Sequence, residues 1–328
     1  MKFRDFSDLK WKVSEIGLGC WQIGWCWGEV LDKEARHLLN EALDQGVNFF
    51  DTSDTYGDGR SEKFLSEIIK STKEKIYVTT KLGRRIRGTT YKKGYKHIPM
   101  EEFVDRSLKN LGIERIDLVQ LHCPPIEFYK KPETFELMDD IVKKGKVANY
   151  GVSVYNLSEA FEAMKYKNVK SIQLVFNLFR QKPIEKFLTE AKKKNIAVIA
   201  RGPLASGLLG GEINNNTIFP ENDHRNYNKD GSAFDIGDTF SGVNFEKGLQ
   251  AVEELKKILP QNFKLSQLAL KWILMHEEVT VVIPGAINSF QVKENSAVSR
   301  KEDIKELMPK IKSIYDKYIK DDVHHRWL

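Results

Sequence analysis

Apolar residues in this chain fall into short, nearly continuous runs. These alternate with stretches in which apolar positions recur every three or four residues. The runs lie at residues 16–19, 47–51, 76–81, 116–122, 147–153, 172–177, 196–201 and 280–284. Several are almost wholly apolar and rich in β-branched residues, the pattern of strands buried on both faces. Between them, residues 34–45 set Ala35, Leu38, Leu39, Ala42 and Leu43 on one helical face. Residues 61–70, 101–111, 132–144, 157–165, 183–194, 245–258 and 265–276 carry the same periodicity and predict seven more helices.

Eight strand-then-helix units predict an α/β fold of the (β/α)₈ TIM-barrel type, with an open doubly wound sheet as the alternative. The open sheet is disfavoured at the first strand. Gly17-Leu18-Gly19-Cys20-Trp21 lacks the third glycine of a dinucleotide fingerprint. Residues 2–12 read as a short β-hairpin able to cap the lower end of the barrel. Residues 210–244, with Asn214-Asn215-Asn216 and Pro220, form a long loop of the kind that is functional or disordered in compact domains. No linker divides the chain, so residues 1–328 are expected to form one domain.

Composition narrows the classes. The chain is 41% hydrophobic and 30% charged, as an ordinary globular protein is. Its net charge of +6 is spread out, with lysine clusters such as Lys192-Lys193-Lys194 closing helices, where cations suit the dipole. No nucleic-acid motif accompanies it, and the mild positive excess suits an anionic cofactor. Three cysteines (Cys20, Cys26 and Cys123) without metal-ligand spacing argue against a disulfide framework and for a reducing compartment. No apolar segment resembles a signal peptide or approaches the roughly 20 residues of a membrane span. The expectation is a cytoplasmic protein with no membrane or nucleic-acid partner and no metal. His324-His325 is read as a feature of the tail.

Barrel enzymes place their sites where strands end. Four strand-end polar residues form a set: Asp51 and, shortly after it, Tyr56; Lys81; and His122. Taken singly each has an ordinary reading, as a helix cap, a turn aromatic, a solvated charge and a structural histidine. Together on one rim they suit carbonyl reduction. Hydride addition puts negative charge on oxygen, which needs a proton as that charge develops. A tyrosine with its ordinary pKa near 10 gives up that proton reluctantly, and an adjacent ammonium lowers the pKa. Asp51 would hold Lys81 charged, His122 would orient and polarise the carbonyl, and Tyr56 would be the general acid.

The stretch Asp51-Thr52-Ser53-Asp54-Thr55-Tyr56-Gly57, with Thr80-Lys81 and Leu121-His122, resembles the Asp-Tyr-Lys-His tetrad of the aldo-keto reductase family. The resemblance runs from Val13-Ser14-Glu15-Ile16-Gly17 to Glu294-Asn295. It includes Tyr150-Gly151-Val152-Ser153 and Pro203-Leu204-Ala205-Ser206-Gly207. It implies a barrel that binds a nicotinamide cofactor without a Rossmann fold and reduces an aldehyde or ketone reversibly.

Carried over position by position, the resemblance implies that Ser153 and Gln173 hold the nicotinamide carboxamide. Val154 stands where an asparagine is common. Arg201 falls where an aromatic ring often meets the nicotinamide, and a guanidinium plane can stack there too. Pro203, Leu204, Ser206 and Gly207 resemble the pyrophosphate loop, with Arg225 a further anion contact. Gly285, Ala286, Gln291, Glu294 and Asn295 resemble the adenosine end. Relatives usually carry Lys or Arg at the 2′-phosphate, whereas this chain has Gly285, Ile287 and Gln291, with Lys293 nearby. NADPH is the expected cofactor, with NADH or dual use open.

Trp21, Trp25, Trp27, Phe128 and Tyr129 are candidate walls of an apolar substrate pocket, Trp21 foremost; the alternative is that they pack the loops. Two other functions remain on the sequence. One is a cofactor-sensing regulatory subunit like the potassium-channel β subunits. The other is a Schiff-base enzyme using Lys81. The substrate and the oligomeric state are not legible.

Overall fold

A computed structural model describes residues 1–24, 30–84 and 100–328. Strands β1 (Phe3–Phe6) and β2 (Trp11–Ser14) pair antiparallel. Eight further strands follow: β3 (Leu18–Gly19), β4 (Phe49–Asp51), β5 (Tyr77–Leu82), β6 (Ile116–His122), β7 (Val147–Ser153), β8 (Val169–Val175), β9 (Ala197–Arg201) and β10 (Val279–Val282). Each pairs in parallel with the next in chain order. The first and last meet through parallel bridges, Ile16 to Val282 and Gly19 to Gly285. At this seam the Gly17 and Gly19 N–H groups donate to the carbonyls of Val282 (2.8 Å) and Pro284 (3.0 Å). The sheet is therefore a closed (β/α)₈ barrel, and closure satisfies the edge groups an open sheet would expose. A Cβ on Gly17 would sit 2.9 Å from the Phe49 carbonyl, so a side chain there would force the seam apart.

The hairpin plugs the lower mouth, as its sequence suggests. Phe6 and Val13 pack with inward residues of the strands, among them Phe49, Tyr77, Leu118, Ile199 and Val281. Trp11 stacks on Tyr77 with ring centroids 4.6 Å apart. With that end sealed by apolar side chains, the upper rim is the open one.

Helices α1 (Asp32–Asp44), α2 (Arg60–Ser71), α3 (Met100–Leu111), α4 (Pro132–Lys143) and α5 (Leu157–Ala163) coat the barrel close to their predicted bounds. In α1, Ala35, Leu38, Leu39 and Ala42 are buried, the stripe read from the sequence. The helix expected over residues 183–194 is divided. A 3₁₀ turn (Lys182–Glu185) precedes α6 (Phe187–Lys193), because Lys186 adopts φ −145° and ψ −43°, outside the helical basin.

The predicted helix near residue 245 is α7 (Phe245–Lys257), an insertion after β9. The last two barrel helices are α8 (Leu265–Leu274) and α9 (Ser289–Ala297). Helix α9 went unpredicted because it has no apolar stripe; besides Val292 it buries Asn295 and Ser296. Helix α10 (Met308–Tyr318) was also missed. Strand β8 starts three residues before the predicted run, where Lys170 interrupts the apolar pattern and reaches Asp8 of the hairpin at 2.8 Å. The long loop has local order, with a helical turn at His224–Tyr227 and 3₁₀ turns at Ile236–Asp238 and Phe240–Gly242.

Candidate active site

Parallel register puts the ends of β4, β5 and β6 side by side, and three predicted residues with them. The Lys81 ammonium, 1% exposed, donates to Asp51 Oδ1 at 2.6 Å, to the Thr52 carbonyl at 2.8 Å and to Tyr56 Oη at 3.2 Å. Asp51 Oδ2 accepts from the Gln173 amide at 2.7 Å. The four tetrad positions thus share one buried cluster, with the Tyr56 and His122 rings edge to face at 6.2 Å.

The charges sort by environment. Burial lowers the Lys81 pKa, but Asp51 and Tyr56 more than offset this and hold the ammonium above its ordinary range. A lysine kept protonated is a poor amine nucleophile, which counts against the Schiff-base alternative. Burial pushes the Tyr56 phenol above its ordinary value while Lys81 pulls it back. The net direction is up, opposite to the lowering expected from the ammonium alone, because desolvation of a phenolate outweighs one neighbouring charge that Asp51 already balances. Burial, aided by the charges of Arg84, Lys81 and Arg201, holds His122 well below its usual range and therefore neutral. Its Nδ1 lies 3.3 Å from Ser53 Oγ and its Nε2 lies 3.4 Å from an Arg84 guanidinium nitrogen.

Above this cluster runs a cavity of about 800 Å³. Asp51, Tyr56 and His122 lie at its inner end. Ser153, Gln173, Arg201, Pro203, Leu204, Ser206 and Gly207 also line it, Gln173 in direct contact with Asp51. Gly285, Ala286, Gln291, Glu294 and Asn295 line the outer end. The segment after β9 turns sharply, with Ala205, Ser206 and Gly207 in left-handed conformations (φ 46°, 55° and 91°). The Ala205 and Gly207 N–H groups close this turn by donating to the carbonyls of Gly202 (3.1 Å) and Leu204 (2.9 Å). Two buried polar atoms in the lining, Gln22 Oε1 and Arg201 Nε, have no partner among the described residues. A cavity of this volume with buried polar atoms awaiting partners fits a dinucleotide.

Several predicted positions take on more than their expected contacts. Gln173 bridges Asp51 and Ser153, whose hydroxyl donates to Gln173 Oε1 at 3.1 Å, so this pair is tied to the tetrad. Arg201 forms a buried ion pair with Asp238, and Asp238 Oδ2 also accepts from Tyr155 Oη at 2.9 Å. Burial opposes the charge on both members. Asp238 keeps Arg201 well above its usual value, and Arg201 and Arg84 keep Asp238 below its own. Arg225 lines the cavity but is held in a fork by Asp223, at 2.9 and 2.6 Å. Lys293 turns away to Glu41 on α1 (3.3 Å). The cation at the outer end is instead Lys264, which lines the cavity beside Ser266 and pairs with Glu294 at 2.7 Å.

Trp21 lines the inner end, 6.3 Å from the Tyr56 ring and 4.9 Å from His224. Tyr129 is fully buried and bonds the Ser153 carbonyl at 3.0 Å, and Phe128 lies outside the lining, so both pack loops. Trp25, Cys26 and Trp27 fall outside the described residues. Burial raises the Cys20 and Cys123 thiols, which leaves both unreactive. His324 is bound by Tyr315 (2.8 Å) and Glu185 (2.5 Å), a structural tie of the tail.

Sequence reading missed Arg84, Tyr155, Phe234, Asp238 and Lys264. The one available signal was Lys81-Leu82-Gly83-Arg84, where Gly83 (φ 100°) turns the chain off β5 and over the barrel mouth.

The barrel and the strand-end cluster define a class of protein, and comparison with known sequences makes it specific. The Aldo/keto reductase family model matches residues 15–316, and the chain belongs to that family. Aldo-keto reductase YhdN of Bacillus subtilis is 29% identical over 308 residues, covering 91% of this chain and 89% of that one. Aldo-keto reductase yakc [NADP(+)] of Schizosaccharomyces pombe is 28% identical, covering 86% and 83%. A probable voltage-gated potassium channel subunit beta of Arabidopsis thaliana is 29% identical, covering 90% of each chain. Among solved structures, the glycerol dehydrogenase AKR11B4 from Gluconobacter oxydans superposes with a TM-score of 0.77 at 27% identity, covering 98% and 96%.

Proposed function

We propose that this protein reduces an aldehyde or ketone to an alcohol, reversibly, with Tyr56 as the general acid and NADPH as the cofactor. The observation that carries the reading is the Asp51–Lys81–Tyr56 relay beside a cavity of about 800 Å³, roomy enough for a dinucleotide. A dihydronicotinamide bound there supplies the hydride. The protein's part is to hold the carbonyl oxygen, give it a proton and keep water out.

Tyr56 is protonated at neutral pH, because burial raises its pKa, and Lys81 stabilises the phenolate left when the proton departs. Asp51 keeps Lys81 in place through a direct ion pair. Arg84 can only donate hydrogen bonds, so its contact leaves the lone pair of His122 on Nε2 and the proton on Nδ1, facing Ser53. His122 accordingly aims Arg84, and the guanidinium meets the carbonyl oxygen as the cationic donor. In the oxidative direction the Tyr56 phenolate takes the proton back.

Ser153, Gln173 and Arg201 would hold the nicotinamide end, the backbone of residues 203–207 the pyrophosphate, and Gln291, Glu294 and Asn295 the adenosine. Lys264 supplies a cation at the outer end, and the Schizosaccharomyces pombe relative carries NADP(+) in its name. These support NADPH over NADH. We also place the protein in the cytoplasm as a single-domain enzyme. No helix among the described residues is long and apolar enough to cross a membrane.

A second reading, a cofactor-sensing subunit, is favoured by the resemblance to the Arabidopsis channel β subunit. Titration with NADPH and NADH by quenching of tryptophan fluorescence, followed by NADPH oxidation with aldehyde panels, separates the two. Tighter binding of NADPH with catalytic turnover is expected. Binding without turnover on any carbonyl would favour the sensor, and binding of neither nucleotide would overturn both.

A further inference from the structure

We propose that Trp327, which lies outside the cavity, is a positioning residue for the nicotinamide half of the cofactor. Its indole carries the turns that present Asp238 to Arg201. The proposal rests on the reductase reading and names a determinant of cofactor grip in that same site.

Three observations lead there. The first is contact. The turns at Ile236–Asp238 and Phe240–Gly242 rest on the Trp327 ring, for a Cβ on Gly237 would lie 2.9 Å from it and one on Gly242 only 2.4 Å. Trp327 Nε1 donates to Asp235 Oδ1 at 2.9 Å, and the same oxygen caps the first turn by accepting from the Gly237 N–H at 2.7 Å. Arg326 donates to the Gly242 carbonyl at 3.2 Å, at the end of the second turn. Gly237, Asp238 and Ser241 line the cavity and Trp327 does not, so the ring supports these turns from behind.

The second is that the ring is itself fixed. The guanidinium carbons of Arg180, which is buried, and of Arg326 lie 3.5 and 4.2 Å from the ring centre, close enough for cation–π attraction. The Trp327 carbonyl accepts from the Leu157 N–H at the start of α5, at 3.1 Å. Its backbone sits at φ 55°, a conformation that a bulky residue keeps only where its surroundings hold it.

The third is what the supported turn does. Asp238 forms the buried ion pair with Arg201 and accepts from Tyr155. Arg201 lines the cavity, and its buried Nε has no partner among the described residues, so it can donate to a bound molecule. The carboxamide oxygen of a nicotinamide is an acceptor of that kind. A buried ion pair depends on its geometry, so a shift of the turn would move Arg201 with it. Trp327, Asp235, the turn, Asp238 and Arg201 thus form one continuous chain of contacts from the tail to the cavity. An adenosine held by Gln291, Glu294 and Asn295 lies off that chain.

The test is calorimetric binding of two nucleotides: NADPH, and 2′,5′-ADP, which carries the adenosine half with its 2′-phosphate but no nicotinamide. The proteins compared are wild type, Trp327→Phe, Trp327→Ala, Asp238→Asn and the double variant Trp327→Ala with Asp238→Asn. We expect Trp327→Ala to weaken NADPH about tenfold while 2′,5′-ADP stays within about twofold. Trp327→Phe keeps a ring but loses the donor to Asp235, and its loss should be smaller. With Asp238 already changed, Trp327→Ala should weaken NADPH by less than about threefold more. A second readout needs no nucleotide. The urea midpoint of the double variant should fall by less than the sum of the two single losses. If neither nucleotide bound to wild type, such overlap would support the link from Trp327 to Asp238, and the failure would lie with the reductase reading. Equal losses for NADPH and 2′,5′-ADP, NADPH affinity unchanged by Trp327→Ala, or additive midpoints would overturn the proposal and leave the reductase reading standing.

Discussion

At the inner end of the cavity, Asp51, Lys81 and His122 each sit at the end of a barrel strand, and neighbouring strands bring them together through backbone register. At the outer end, Lys264, Gln291 and Glu294 come from a turn and a helix, and Lys264 stands half exposed beside its carboxylate partner. The inner Asp51–Lys81 pair is buried and matched at short range, so removing a partner is costly. The outer one is wet, so its contacts tune preference more than they hold structure. On the proposed reading, the contrast teaches where this family member can vary: the sheet would lock the chemistry, while cofactor choice would rest on replaceable side chains.

The sharpest way to break that contrast is Asp51→Asn. It leaves the buried Lys81 ammonium without its carboxylate, and losing one partner of a buried pair costs about 3–5 kcal/mol. We expect denaturant midpoints to fall by a corresponding amount and turnover to drop with them. Unchanged stability would mean that water screens the inner end. Asp238→Asn should cost somewhat less, about 2–3 kcal/mol, because the amide can still bond Tyr155 and Arg201 while the charge match is lost. Thermal unfolding and nucleotide affinity would both register it, since Arg201 keeps a hydrogen-bond partner but loses the charge that holds it beside the cavity.

At the outer end, Lys264→Glu should leave unfolding almost unmoved. Its signature is a shift of about tenfold in the ratio of NADPH to NADH affinity, the size expected of one charge contact. A large loss of stability instead would erase the distinction between the two ends.

The smallest effect concerns Asp54, buried within the tetrad motif with one carboxylate oxygen unpartnered among the described residues. Burial, with repulsion from Glu62, pushes its carboxyl up to about 7. A group whose folded pKa is raised binds more protons in the folded state, so its contribution to stability falls as pH rises from about 4 to about 7. Asp54→Asn should therefore stabilise the protein by about 1 kcal/mol or more at pH 8 and by much less at pH 4. A gain that did not vary with pH would show that Asp54 is already satisfied in its ionised form.

The same division governs what could be read from the sequence. Strand ends announce themselves, because an apolar run that stops at Asp51, Lys81 or His122 carries both the element and the residue at its rim. The barrel followed from counting such runs. Asp238 gives no comparable sign. It lies in an irregular loop, 37 residues after its partner Arg201, and only the folded loop brings them together. Helix α9 was invisible for a related reason: it turns Gln291, Glu294 and Asn295 to the cavity and buries Asn295 and Ser296 where a packing helix would bury leucines. Lys264 was passed over for Lys293, closer in sequence to the adenosine motif but drawn off to Glu41. The direction of the Tyr56 shift also needed the structure, since it depends on how deeply the phenol is buried.

The central claim is that Tyr56 gives the proton that accompanies hydride addition, and single-turnover oxidation of bound NADPH by a carbonyl substrate tests it most directly. In wild type the rate should stay level through neutral pH and decline only in alkali beyond the ordinary tyrosine range, because burial raises the phenol's pKa. Tyr56→Phe should bind NADPH as tightly as wild type and oxidise it about 10² to 10⁴ times more slowly. A phenylalanine variant that oxidises bound NADPH at close to the wild-type rate would contradict the account.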